Sequence, residues 1–311
     1  MFFPYIKHLI DSLPKECKDK YNNTISLDIV LEGGLFNGSY LSGCLLYLKE
    51  LEKIKYIKIN KLSGCSIGSI GCILYFIEDE TVMMEIYKLA YNQLKQNYNI
   101  NVFHSIFTLL KSKLPSDIIK RINHRLYISY YNVKTGKRTV KNTYKNIEEL
   151  FETIRRSCSF PYVIDNVLYY KNKYIDGLYP HIFTAKDNTN NSNNIIKSKV
   201  LYLNIHNLNQ IFGMISVKNE LTNSHRILEG IIDIHVFFIK NSKTNICSFI
   251  ENWSYLDWLR HYYFVYFMEI GIWVLNKIYI FSSILSTNDK EVNLYKTMHN
   301  MYIYLLKNYC I

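Results

Sequence analysis

The run Ser26 to Leu31, SLDIVL, is short, apolar and cut off by Glu32 and two glycines, a pattern that predicts a buried strand. From Ser39 onward Leu41, Cys44, Leu45, Leu48 and Leu51 recur at helical spacing, with Lys49, Glu50, Glu52 and Lys53 on the remaining positions. The first unit therefore reads strand, glycine loop, helix. Tyr56 to Leu62 alternates apolar and polar residues, GCSIG follows, and Ile67 to Ile77 is apolar with small residues at Ser69, Gly71 and Cys72. A second strand, sharp turn and buried helix are expected there. Two such units in succession predict an α/β layered domain with a mostly parallel sheet.

Further along, Ser116 to Leu126 reads as a basic amphipathic helix, and Tyr127 to Val133 with Lys137 to Val140 as a hairpin around Thr135-Gly136. Asn146 is placed to cap a helix running to Arg156. A second hairpin, VLYYKNKYI, leads into Asp176-Gly177, and Val200 to Ile205 restores a strand after the polar, asparagine-rich loop Lys186 to Ser198. From about Asn219 the pattern changes to long aromatic and aliphatic helices. The window Tyr262 to Ile284 has the length of a bilayer span, for which about 20 residues suffice. Glu269 and Lys277 lie inside it and would cost roughly 2.5 to 3.5 kcal/mol each in hydrocarbon, so a buried or membrane-facing helix is expected rather than a transmembrane span at 262–284. The pattern divides the chain into a lead-in (1–25), an α/β domain (26–205) and a helical C-terminal region (206–311) packed on the same domain.

With 311 residues, 49% hydrophobic and 20% charged, the chain has the composition of a globular protein with a large core. Its formal net charge of +11 favours polyanionic surfaces, anionic lipid headgroups or nucleic acid. No RNP, zinc-finger or basic-helix pattern accompanies the charge, so nucleic acid is not the expected partner. Seven scattered cysteines without a CxxC pair or metal-ligand spacing point to a reduced, cytoplasmic protein, and no metal or cofactor is expected. The N-terminal MFFPYIKHLID is broken by Pro4, Lys7 and Asp11 and does not read as a signal peptide.

Two stretches carry chemistry. Gly64-Cys65-Ser66-Ile67-Gly68 is GxSxG between a predicted strand and a predicted helix, the setting of a nucleophile elbow. There the flanking Gly64 and Gly68 make room and the helix N-terminus favours negative charge developing at Ser66. One βα unit upstream, EGGLFNGSY places Gly33, Gly34, Leu35 and Gly38 where backbone N–H groups could hold an oxyanion beside the elbow. It lacks the GKS or GKT ending of a P-loop and the spacing GxGxxG. The base is left open by the residues alone. A Ser…Asp…His order could draw on His206, His225, His235, His261 or His299, and a Ser–Asp dyad would need none of them.

In content and order, EGGLFNGSY, GCSIG, SCSFPYVI and YIDG resemble the patatin-like phospholipase family over roughly Ser26 to Pro180. That family shows a GGGxRG or GGGxKG loop, GxSxG, a small-residue stretch and a DGG or DGA motif. The resemblance implies a three-layer αβα fold and metal-free hydrolysis of lipid acyl esters by a dyad, with Ser66 as nucleophile and Asp176 as its aspartate. It implies an oxyanion loop at Gly33, Gly34 and Leu35, closed by Gly38, and a scaffold role for Ser157 to Pro161. Three positions depart from it: Leu35 where a third glycine stands, Asn37 where the family has Arg or Lys, and Leu178 after Asp176-Gly177. The expected function is a phospholipase A-type acyl hydrolase bound peripherally to anionic membrane surfaces. The alternative is a catalytically weakened relative that holds lipid or a partner.

Overall fold

The computed structural model describes residues 2–14, 24–165, 167–184, 198–206, 212–218, 220–285, 303–304 and 306–310. The Lys186–Ser198 loop, apart from Ser198 itself, lies outside them, as does His299.

The chain opens with helix α1 (Phe3–Asp11), whose Ile6 and Ile10 enter the main core. Strand β1 (Ile25–Leu31) then runs into the glycine loop, a short 3-10 turn at Leu35–Asn37 and helix α2 (Gly38–Lys53). The second unit follows as β2 (Ile57–Gly64) and α3 (Ile67–Leu74). Helices α4 (Val82–Asn97) and α5 (Phe103–Lys113) come next, in a stretch where the pattern reading had assigned no element.

The expected Ser116–Leu126 helix is only one turn long, α6 (Ile118–Ile122), because His124 takes a left-handed φ of 61° and Leu126 already pairs with Leu62 in the sheet. The predicted hairpin is β3 (Leu126–Asn132) with β4 (Lys137–Lys141), and Asn146 caps α7 (Ile147–Ser157) by accepting the Glu149 N–H. The two-residue β5 (Tyr174–Ile175), β6 (Lys199–Leu203), α8 (Ser224–Lys240), β7 (Cys247–Phe249) and α9 (Tyr255–Leu285) complete the order.

The sheet runs β4-β3-β2-β1-β6-β7, with β5 paired to β3. The central pairs β3–β2, β2–β1 and β1–β6 are parallel, and antiparallel strands close both edges. Alternation along β1 sets the layers. Leu27, Ile29 and Leu31 point into a large core shared with α1 to α8, whereas Val30 points to a smaller cluster with Tyr202, Ile250 and Trp258 of α9. Helices thus cover both faces, as a parallel sheet requires.

The C-terminal part is joined closely to the rest. Strand β7 extends the sheet beyond β6, and α8 lies so close to α2 that a Cβ on Gly43 would meet the Ile227 carbonyl oxygen at 2.0 Å. The window Tyr262–Ile284 falls within α9, and among the described residues no helix is long and apolar enough to cross a membrane.

Candidate active site

The elbow forms because β2 ends at Gly64 and α3 begins at Ile67, leaving two residues for the reversal. Ser66 takes φ 50° and ψ −131°, a region that L-residues seldom occupy, and the turn is closed by Gly68 N–H donating to the Cys65 carbonyl at 2.8 Å. The two glycines are required by close approach. A Cβ on Gly64 would lie 2.5 Å from the Gly68 carbonyl oxygen, and one on Gly68 would lie 2.5 Å from that of Leu31. Ser66 is 8% exposed, at the N-terminus of α3.

The glycine loop packs directly on this turn. A Cβ on Gly33 would sit 2.9 Å from the Ser66 Cβ, and one on Gly38 would strike Ile67. Among the described residues no backbone carbonyl accepts the N–H of Gly34 or Leu35. Leu35 has φ 46° and Leu178 has φ 60°. Both departures from the family's glycine therefore keep a left-handed backbone and carry the steric cost on the side chain, about 1–2 kcal/mol per residue.

Asn37 is fully buried. Its amide donates to the Ile205 carbonyl and its Oδ1 accepts from Arg226 Nη1 at 2.9 Å. Arg226, from α8, also binds Glu220 and the carbonyls of Gly213 and Ser216. A cation therefore reaches the loop from 189 residues away, a contact that no local pattern announces.

Asp176 follows β5 and is 3% exposed. Its N–H donates to the Ser159 carbonyl, Gly177 N–H donates to that of Ser157, and Leu178 N–H donates to Asp176 Oδ1 at 2.9 Å. A side chain on Gly177 would collide with the Ser129 carbonyl at 2.2 Å. Among the described residues no hydrogen-bond partner reaches the buried Oδ2 in standard geometry. Burial pushes the carboxyl up to about 6, opposed by the nearby Ser66 hydroxyl, the Leu178 N–H and His206. The Ser66 hydroxyl thus lies close enough to the carboxyl to favour its charged form.

The stretch Ser157-Cys158-Ser159 ties the two loops together. Ser157 Oγ donates to the Ser129 carbonyl at 2.6 Å and accepts the Ser66 N–H at 3.0 Å, while the Cys158 thiol donates to the Ser66 carbonyl at 3.1 Å. Elbow, aspartate loop and β3 are joined through one end of α7.

The candidate histidines scatter. His235 binds the Tyr47 hydroxyl inside the α2–α8 contact, and His225 is exposed 3.5 Å from Glu220. His261 stands among aromatic rings on the far side of the sheet. His206 Nδ1 is 2.6 Å from Glu32 Oε2. Burial disfavours its charge, but Glu32 and the Gly33 carbonyl outweigh burial and raise its pKa. Among the described residues no cluster of three His, Cys, Asp or Glu side chains is placed to hold a metal ion.

An apolar cavity of about 60 Å³ opens beside Ser66, bounded by Leu35, Phe36 and Ile67 and by Met83, Ile86 and Phe103 of α4 and α5. A hydroxyl on a strained turn, a buried carboxyl beside it, loop N–H groups without a backbone acceptor among the described residues and an apolar chamber together have the parts needed for acyl transfer.

Two comparisons bear on this arrangement. No curated protein matches the chain. Residues 29–179 match the family model described as patatin-like phospholipase.

Proposed function

Because residues 29–179 match the family model described as patatin-like phospholipase, we propose that the protein is a phospholipase A-type enzyme that cleaves acyl esters of membrane lipids with Ser66 as nucleophile and Asp176 as base. The observation that carries this reading is the placement of Ser66: it lies at once on a strained elbow, close to the buried Asp176 carboxyl and in the wall of an apolar cavity. Asp176 Oδ2 takes the Ser66 proton as Oγ attacks the ester carbonyl. The oxyanion forms against the Gly34 and Leu35 N–H groups, each such donor being worth about 2.7 to 4 kcal/mol. The departing lysolipid alcohol receives the proton and the acyl chain stays on Ser66. Water then attacks the acyl-serine with Asp176 again as base, releasing the fatty acid.

The base works only when ionised. With Asp176 near 6, the rate is expected to fall as pH drops through that value and to level off above it. The cavity beside Ser66 accommodates the first methylenes of an acyl chain, and a longer chain requires α4 and α5 to move apart. Docking to the membrane is assigned to α9, whose outward face exposes Tyr262, Tyr266, Phe267 and Trp273, aromatic residues suited to the headgroup boundary.

The deciding experiment compares wild type with Ser66→Ala for hydrolysis of phospholipid and for covalent labelling by a fluorophosphonate. Labelling and turnover confined to wild type are expected. A folded wild type that is neither labelled nor active on any acyl ester would sink the hydrolase reading. If it nevertheless binds lipid, the strained Leu35 favours the second reading, a lipid-holding protein with weakened catalysis.

A further inference from the structure

On the other side of the glycine loop lies a larger cavity, of about 490 Å³, within the range of about 300–1,000 Å³ usual for small-molecule sites. It opens at the carboxyl ends of β1 and β6, where the chain order of the parallel strands reverses and α/β sheets commonly hold ligands. Most of its lining comes from residues 202–264, outside the segment that matches the family model.

Its walls combine three kinds of group. Tyr202 meets Trp253 edge to face at 5.0 Å and 74° and His261 at 6.1 Å and 84°, while Trp253 and His261 lie tilted to each other at 5.6 Å and 54°. None of the three pairs is stacked, so the rings form differently inclined walls, an arrangement that can present ring faces to a bulky, weakly hydrated cation. Burial holds His261 below its usual pKa, so this wall is uncharged at neutral pH. The Glu32 carboxylate, 2% exposed, lies at the loop end of the cavity, where it accepts from the Tyr202 hydroxyl and pairs with His206. Arg260 lines the open side. Lys243 there is paired to Asp257 at 2.6 Å, whereas Arg260 has no carboxylate partner among the described residues.

An unpaired guanidinium suits a phosphodiester, and a ring box beside a carboxylate suits a quaternary ammonium. The loop Glu32–Leu35 separates this cavity, which Glu32 lines, from the apolar one, which Leu35 lines, with Ser66 packed against Gly33 between them. We propose that the cavity is the subsite for a zwitterionic headgroup, a phosphodiester bearing a trialkylammonium, of the lipid whose acyl ester lies at Ser66. The assignment builds on the hydrolase reading but is tested apart from it.

The test uses full-length Ser66→Ala protein, which cannot turn over, titrated calorimetrically with glycerophosphocholine and, separately, with inorganic phosphate. Binding of glycerophosphocholine at least tenfold tighter than phosphate is expected, weakened at least tenfold by Arg260→Gln and by Trp253→Phe, with melting temperatures recorded for each. Arg260 is exposed, so its variant reports on binding even if Trp253→Phe loosens the fold.

Equal affinity for phosphate and glycerophosphocholine would leave an anion site only and overturn the assignment. No binding, or binding indifferent to both substitutions, overturns it as well. In the active protein, Trp253→Phe should lower the ratio of kcat/KM for short-chain phosphatidylcholine over phosphatidylglycerol at least fivefold. Tight glycerophosphocholine binding in a protein inactive on every ester would retain the subsite and reject the hydrolase.

Discussion

Two residues at the centre of the site hold conformations or charges that cost stability. Ser66 sits at φ 50°, ψ −131°, where glycine is free of the Cβ clash. Ser66→Ala and Ser66→Gly both remove the proposed nucleophile, yet Ser66→Gly should be the more stable by about 1–2 kcal/mol, read from urea unfolding of the two variants. Equal midpoints would mean that the turn is unstrained. Asp176 adds an electrostatic cost. A carboxyl raised from 3.8 to about 6 by burial binds its proton more tightly folded than unfolded, so folding stability falls as pH rises between those values. Above pH 6 the buried charge costs about 3 kcal/mol. Asp176→Asn is therefore expected to abolish turnover and to raise Tm at pH 8, with the gain vanishing near pH 3.5, where wild-type Asp176 is protonated in both states. A lower Tm at pH 8 would contradict this account.

At the scale of elements, the end of α7 controls the geometry. Ser157 Oγ is bonded on both sides, to the Ser66 N–H and the Ser129 carbonyl, and both of those groups are buried. Ser157→Ala strands the two, at about 1–3 kcal/mol for each unsatisfied group. In the proposed reaction the elbow then loses its anchor, so kcat should drop at least tenfold with little change in KM, measured on a soluble ester. A change confined to KM would show that Ser157 serves binding rather than the placement of Ser66. The glycine loop has a comparable brace in α8, where Arg226 joins Asn37 to Glu220 and to two backbone carbonyls. The cation missing from position 37 is thus supplied by another element, already neutralised by Glu220, and it fixes the turn rather than facing the cavity beside Ser66.

For the whole molecule, α9 connects the aspartate loop to the surroundings. Its inward residues Met268 and Ile272 pack with Ile175 and Leu178, and Glu269 accepts from the Tyr179 hydroxyl. Its outward face leaves Tyr262, Tyr266, Phe267 and Trp273 each more than half exposed. An aromatic stripe of this kind on a chain of net charge +11 predicts binding to anionic vesicles in two parts. Added salt should weaken the lysine and arginine contribution, while the double variant Phe267→Ala/Trp273→Ala should remove the salt-resistant remainder in vesicle sedimentation. Binding unaffected by the double variant would place the membrane contact elsewhere.

Much of this was legible in the chain. Periodicity and glycine spacing located β1, β2, their loops and the helices behind them, because strand and helix periods and sharp turns are local properties of a few residues. The order of four short motifs was enough to point to the family, and β3, β4 and the Asn146 cap followed from alternation and turn chemistry. The α4 and α5 helices went unassigned although Val82, Ile86, Ala90 and Leu94, and then Phe103, Ile106 and Leu110, recur at helical spacing. The edge strand β7 escaped because three residues carry no period. Long-range placement was decided only by the fold. Nothing near Asn37 signals Arg226, nothing near Glu32 signals His206, and Tyr202, Trp253 and His261 share a cavity only because β6, β7 and α9 converge at one end of the sheet. Sequence fixes the conformations available to a short segment. Which distant side chains meet, and what burial does to the charge of Asp176, depends on the packing of the whole chain.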